Sequence, residues 1–344
     1  MGKFLESEKI EQIAFKASSP TISDSARSDG IFMKKPRPFC LPLEQSKQNL
    51  FPDIRESAVE HFSRHAIQWH NGYNGKPGNH LCDSMVCCVN FLFPFSNNPA
   101  NLAKLLSPIY PELETMLPVE NGQYVSFEWI GARNYLGEKV IGNGKRSRGA
   151  NCTSTDAIVI FKRRDGKKQV VLIEWKYTES YGSTSYKIAK SGTDRRSIYR
   201  HLFESPDCPI NKELLPNFDA LFHEPFYQFM RQQFLANEME KAHELDADIV
   251  SLLHIAPAHN KDFRKITSPE LTSLGTSATE VWTKLVLGED RFLSVSTEKL
   301  FGELTVDDLS EMADWLDYIH TRYRWLRESQ STISRTDDKD RRAG

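Results

Sequence analysis

The sequence predicts an α/β protein: a central mixed sheet of four to five strands, flanked by helices, with helical additions at the N- and C-terminal ends. Three observations predict it. Two short apolar runs, Thr155 to Phe161 and Gln169 to Tyr177, flank an Asp165-Gly166 turn, the local signature of an antiparallel hairpin. Helical apolar spacing follows over about 218–242, with Phe222, Phe226, Phe229, Met230 and Phe234 on one stripe. Asp248 to Ala256 then reads as a strand, so that the hairpin's second strand, the helix and this strand make a right-handed crossover between parallel neighbours.

The other elements follow in chain order. Residues 1–50 hold few apolar runs and many Ser, Lys and Pro, and read as an N-terminal arm, partly disordered or wrapping. From Pro52 to Trp69 apolar residues recur at helical spacing (Ile54, Val59, Phe62, Ala66, Trp69), and the Gly- and Asn-rich Asn71–Gly78 is a loop. Helices are expected at about 80–92 and 99–106, and a strand over Gln123–Trp129 with Glu128 near its end. Residues 131–155 are Gly-rich and basic, including Gly142-Asn-Gly-Lys-Arg-Ser-Arg-Gly149. That segment lacks the spacing of a phosphate-cradling P-loop and does not join a strand to a helix, so it reads as a flexible basic loop. Beyond the hairpin come a polar loop (Glu179–Thr193) and a short basic helix (Asp194–Phe203).

The C-terminal third is read as a helix near 268–286, a strand near 291–296 and a helix near 306–327 that carries Leu309, Met312, Trp315, Leu316, Ile319 and Trp325. The charged residues 328–344 are expected as a flexible tail. With no internal repeat and no sharp linker, 51–327 is expected to form one domain.

A chain of 344 residues with 39% hydrophobic and 26% charged residues has an ordinary globular composition. Its apolar runs are only strand-sized, so no membrane span is expected. No signal peptide is recognisable, and a cytoplasmic location is the default expectation. The six cysteines form no C-x-x-C pair. His80, Cys82, Cys87 and Cys88 cluster in an apolar, helical-looking segment without zinc-ligand spacing, which favours packing over metal binding.

A net charge of −2 hides an uneven distribution. Residues 133–200 contain 16 Lys plus Arg against 6 Asp plus Glu, so a local excess of +10 surrounds the hairpin and could attract a phosphate backbone. Lys145, Arg146 and Arg148 in the basic loop, with Gln228 and Arg231 on a polar face of the long helix, are the candidate nucleic-acid contacts.

Asp156, Glu174 and Lys176 arm the hairpin itself. Side chains alternate along a strand, so Glu174 and Lys176 share a face. Two carboxylates and an ammonium beside buried strands are costly unless they serve a purpose, and carboxylates holding a dication beside a lysine that orients a nucleophile would supply one. A surface ion pair on a hairpin is the plain alternative. Ser154 and Thr155 either support the aspartate or serve turn chemistry.

The order of elements, with 17 residues between Asp156 and Glu174-Trp175-Lys176, resembles the restriction-endonuclease-like PD-(D/E)XK nuclease superfamily. The chain also resembles an uncharacterised bacterial restriction endonuclease-like branch, through His80-Leu-Cys-Asp-Ser-Met-Val-Cys-Cys-Val-Asn-Phe-Leu, Phe127-Glu128 and Pro225-Phe-Tyr-Gln-Phe-Met-Arg231. The resemblance implies a restriction-endonuclease-like core over about 80–256. It implies a metal-dependent endonuclease acting on DNA, possessed of Mg2+ (or Mn2+) and serving restriction or defence. A catalytically silent nucleic-acid-binding module of the same fold is the alternative. Asp156, Glu174, Lys176 and Glu128 are the implied catalytic residues, with Asp156, Glu174, Glu128 and the Trp175 carbonyl as metal ligands. The Gln-x-x-x-Tyr motif of some exonuclease branches is absent, since Gln232 lies four positions after Gln228. DNA against RNA, endo- against exonucleolytic cleavage, and a homodimer against a monomer stay open.

The turn carries a test. A two-residue Asp165-Gly166 loop would set Asp156 opposite Trp175 and point the acid away from Glu174. A three-residue loop, Arg164-Asp165-Gly166 with Gly166 left-handed, sets Asp156 opposite Glu174, and this register is the one expected.

Overall fold

The chain begins with α1 (Lys3–Ser18) and a small hairpin of β1 (Gly30–Phe32) and β2 (Lys35–Arg37), followed by α2 (Arg55–Arg64), α3 (Ser84–Leu92) and α4 (Pro99–Leu106). The computed structural model describes residues 2–138, 145–150 and 152–327. The central sheet is then built from β3 (Leu113–Leu117), β4 (Val125–Trp129), β5 (Thr155–Arg163) and β6 (Lys168–Trp175). After α5 (Arg196–Glu204) and α6 (Phe226–Lys241) it is completed by β7 (Ile249–Ala256), α7 (Ala278–Leu285) and β8 (Phe292–Ser296), and α8 (Ala313–Arg322) closes the fold.

This sheet is mixed and six-stranded, one to two strands wider than expected, in the order β3-β5-β6-β7-β8 with β4 also on β5. β3 and β4 pair antiparallel with successive parts of β5, β5 pairs antiparallel with β6, and β6-β7 and β7-β8 are parallel. The parallel pairs need crossovers, which α6 and α7 provide.

The hairpin takes the expected register. Lys162 pairs with Lys168, the Arg163 N–H donates to the Lys167 carbonyl at 2.8 Å, and Gly166 has φ +85°. Arg164-Asp165-Gly166 is therefore the loop, and counting back along the ladder from Ala157↔Ile173 sets Asp156 opposite Glu174.

Strand alternation splits the core between two faces. Val171, Ile173 and Trp175 of β6 join Phe91 of α3, Phe301 and Tyr323 on one side. Val170 and Leu172 join Phe229, Met230 and Phe234 of α6 and Trp282 of α7 on the other. The arrangement is helix, sheet, helix, with the polar site on the α6 side.

Local chemistry sets the helix ends. Asp83 caps α3 by accepting from the Val86 N–H at 2.9 Å, and Asn98 with Pro99 starts α4. The long helix expected over 218–242 is shorter. Pro225 has no N–H to continue a helix, so a 3-10 turn (Phe218–Leu221) precedes it and α6 starts after it. The helix near 268–286 likewise divides into a 3-10 turn, Pro269–Leu274, and α7. The N-terminal segment, read as disordered or wrapping, carries α1 with Phe15 in the core. Among the described residues no helix is long and apolar enough to cross a membrane. The tail expected at 328–344 and the centre of the basic loop lie outside the described residues.

Candidate active site

Asp156 and Glu174 sit where β5 and β6 approach each other beyond their apolar pairs, and Lys176 follows β6 directly. Asp156 Oδ2 accepts from the Trp175 N–H at 2.7 Å. The Lys176 N–H donates to the Ile255 carbonyl at 2.8 Å, which extends the pairing with β7 and fixes the side chain above the sheet. Glu174 and Lys176 form a buried ion pair through Glu174 Oε1. Trp175, between them, turns its ring to the opposite layer, with its centroid 5.0 Å from that of Phe91.

Glu128 completes the group. The β4-β5 ladder runs Phe127↔Ala157 and then Trp129↔Thr155, so Glu128 falls at the position facing Asp156. It has φ +51°, a left-handed backbone that an L-residue inside a strand adopts at a cost of about 1–3 kcal/mol. Its Oε2 accepts from the Ser154 hydroxyl at 2.6 Å. Ser154 thus supports Glu128, and the Thr155 hydroxyl turns to the Ala157 carbonyl at 3.3 Å.

The electrostatics follow from two buried carboxylates, Glu128 and Glu174, and half-buried Asp156 meeting one ammonium. Burial, reinforced by Glu174, raises Glu128 to about 7. Burial and then the Glu174 charge push Asp156 well above the usual carboxylate range. Burial alone would lower Lys176. Glu174, with Tyr181, Glu179 and Asp156 behind it, outweighs that and holds the lysine protonated. Lys176 in this state is a donor and not a base.

Three residues that the sequence reading did not place at the site belong to it. Gln232 of α6 donates through Nε2 to Glu174 Oε2 and, at 3.3 Å, to the Ser154 carbonyl. Its Oε1 is buried without a partner. His254 of β7 lies beside Glu174 in the parallel ladder, and its Nδ1 is 3.0 Å from Ser294 Oγ of β8. Burial keeps it neutral. Glu224, raised by burial, feels both Arg231 and Lys176. A polar residue in an otherwise apolar strand (Leu252-Leu253-His254-Ile255) was the sequence signal for His254.

The candidate nucleic-acid residues divide. Lys145 is exposed. Arg146 donates to the carbonyls of Ile130 (2.6 Å) and Gly131 (2.9 Å). Arg148 is largely buried, paired with Glu120 at 2.9 Å and bonded to Ser126 Oγ and the Phe127 carbonyl. Both arginines therefore brace the loop against β4. Arg231 stacks over Tyr227 at 4.6 Å and donates to Thr153 Oγ1 at 3.1 Å. Gln228 is half-buried one turn before Gln232, its backbone N–H on Glu224.

The donor chemistry suits a hard dication. Glu128, Asp156 and Glu174 offer only oxygen, and their mutual repulsion, visible in the raised carboxyls, is what a bound cation would relieve. Their oxygens do not all fall within 4.8 Å of one another; among the described residues His61, His65 and Glu120 are the group that does. Each site carboxylate is instead held by a protein donor: Ser154, the Trp175 N–H, or Lys176 with Gln232.

The six cysteines are free, and Cys82, Cys87 and Cys88 are buried in the core around α3. No curated protein and no solved structure matches the chain. The model of a protein family, described as Restriction Endonuclease associating with ARP, matches residues 9–324, and the chain belongs to that restriction-endonuclease-like family.

Proposed function

We propose that the chain is a metal-dependent endonuclease that hydrolyses phosphodiester bonds of DNA, with Mg2+ (or Mn2+) held by Asp156, Glu174, Glu128 and the Trp175 carbonyl. The observation that carries this reading is the gathering of three carboxylates, buried Glu128 and Glu174 and half-buried Asp156, around one protonated lysine on a single face of the sheet. Membership of a restriction-endonuclease family supports the nuclease class. When bound, the cation supplies Lewis acidity at the scissile phosphate.

The chain's own residues do the rest. Lys176, kept protonated, donates toward the attacking water or a phosphate oxygen and offsets negative charge as it accumulates. Gln232 and the Trp175 N–H fix the orientations of Glu174 and Asp156. Glu128, raised to about 7, is charged only in part near neutrality without a cation, so cation binding would release a proton there. Exposed Lys145 is the best placed of the basic-loop candidates to meet a phosphate backbone.

The second reading, a silent binding module, draws on the spread of the three carboxylates beyond 4.8 Å. One experiment separates the two. Supercoiled and linear DNA are incubated with the protein in Mg2+ or in chelator, beside Glu174→Ala and Lys176→Ala. The nuclease reading expects metal-dependent cutting that both substitutions abolish. DNA binding without cutting in any divalent cation would leave the binding module, and cutting that survives either substitution would refute the site.

A further inference from the structure

On the sheet face away from α6, His61 and His65 stand one helical turn apart at the end of α2, and Glu120 reaches them from the turn between β3 and β4. One ring nitrogen from each histidine and one Glu120 oxygen all lie within 4.8 Å of one another. The two rings are 4.6 Å apart, and His65 Nδ1 is 3.2 Å from Glu120 Oε2. We infer that His61, His65 and Glu120 form a binding site for a borderline transition-metal dication, best matched by Zn2+, which ties α2 to the β3-β4 turn. This site is independent of the carboxylate group on the opposite face.

Several features single this cluster out from an ordinary group of packed histidines. His61 is almost fully buried, its Nδ1 is 2.5 Å from Gln123 Oε1, and its Nε2 has no hydrogen-bond partner. Buried ring nitrogens of His223, His254 and His320 also lack partners, but of these four histidines only His61 has, among the described residues, a second imidazole and a carboxylate oxygen within 4.8 Å. Glu120 is oriented from behind by Arg148 at 2.9 Å and by the Ser126 hydroxyl, the kind of outer support that ligating carboxylates have.

Charge decides the class of metal. Arg148 already balances Glu120, so the cluster has little net negative charge to hold Mg2+ or Ca2+. Imidazole bonds must provide most of the affinity. That favours Zn2+ and its neighbours, for which two histidines and one carboxylate form a known ligand set with a fourth position left to water. With His65 Nδ1 and Glu120 Oε2 already 3.2 Å apart, binding would hold the β3-β4 turn to α2. Through Arg148, which also holds the Phe127 carbonyl, it would steady the strand that carries Glu128.

The test uses the full chain, stripped with chelator and titrated with Zn2+ in excess Mg2+, and with Co2+ followed by its visible spectrum. The Glu174→Ala background removes the carboxylate site from the measurement. The expected result is one equivalent of Zn2+ and a tetrahedral Co2+ band in both the wild type and Glu174→Ala. His65→Ala and Glu120→Gln should each weaken Zn2+ at least tenfold. Both lie at the half-buried edge of the cluster, and circular dichroism checks that they fold. No Zn2+ uptake would overturn the inference. So would uptake that is lost in Glu174→Ala but kept in His65→Ala.

Discussion

The Trp175 N–H donates to Asp156 Oδ2 at 2.7 Å, so the backbone of one hairpin strand orients the acid of the other. An amide oxygen can accept the same bond. Asp156→Asn is therefore expected to keep the hairpin and, in chelator, to match or exceed wild-type thermal stability, because it relieves a buried like-charge conflict. Under the proposed function Mg2+ raises the Tm of the wild type, and Asp156→Asn is expected to lose both that shift and DNA cleavage. Thermal melts with and without Mg2+ check this, and a Tm far below wild type in chelator would count against it.

Gln232 is expected to matter less for chemistry and more for positioning. Gln232→Ala strips a buried donor from Glu174 and should cost about 1–3 kcal/mol in denaturant unfolding. Cleavage should fall about tenfold without vanishing, since the ligand oxygens remain. Plasmid nicking rates measured beside urea unfolding curves separate the two effects.

Stability should decline on the acid side partly through His80. Burial holds its imidazole at about 4, against 6.5 for an ordinary histidine. The folded value is depressed, so the unfolded chain takes the proton first as pH falls. The contribution is present above about 6.5 and is lost on the way down to about 4, with a slope of up to about 1.4 kcal/mol per pH unit. His80→Asn keeps an acceptor for the Cys82 N–H, now 3.0 Å from His80 Nδ1, and removes the titration. Its unfolding free energy should fall less steeply between pH 6.5 and 4.5, and an unchanged slope would exclude His80 as a source.

Two residues of the basic loop should separate cleanly. Arg148→Ala breaks a largely buried ion pair and two further contacts, and is expected to cost about 3 kcal/mol. Lys145→Ala should leave Tm within a degree or two and lower the salt dependence of DNA binding by about one counterion. Melting curves and binding titrations at several salt concentrations check both.

The sequence revealed most where chemistry is local. Asp165-Gly166 in an alternating context set the turn, and the turn set which face Asp156 takes. Apolar periodicity located α4, α6 and β7 closely, while Pro225 shortened α6 by a mechanism that is equally local. α1 escaped because its buried positions are Glu8, Gln12, Phe15 and Lys16, which make no apolar stripe. Each of those polar groups is satisfied by a partner far along the chain, as when Gln12 Nε2 donates to the Arg322 carbonyl at 3.1 Å. β3 is five residues with two outward positions, too short for a period to show. Gln228 is read as a nucleic-acid contact on the polar face of α6, and Gln232, one turn on, is the residue that reaches Glu174: the face is legible in the sequence, but its height along the helix depends on how α6 docks. Arg148 read as a free cation because its partner Glu120 is 28 residues away.

Tyr177, immediately after Lys176, is gripped from both ends of the chain. Its hydroxyl donates to Glu8 Oε2 at 2.5 Å, and its ring meets Phe4 at 6.3 Å, Tyr323 at 5.6 Å and Trp325 at 6.2 Å. The two termini thus act as a vice on the residue next to the candidate catalytic lysine. Removing residues 3–18 would take Phe4 and Glu8 out of that grip, so the first helix is part of the support around Lys176 and not a removable leader.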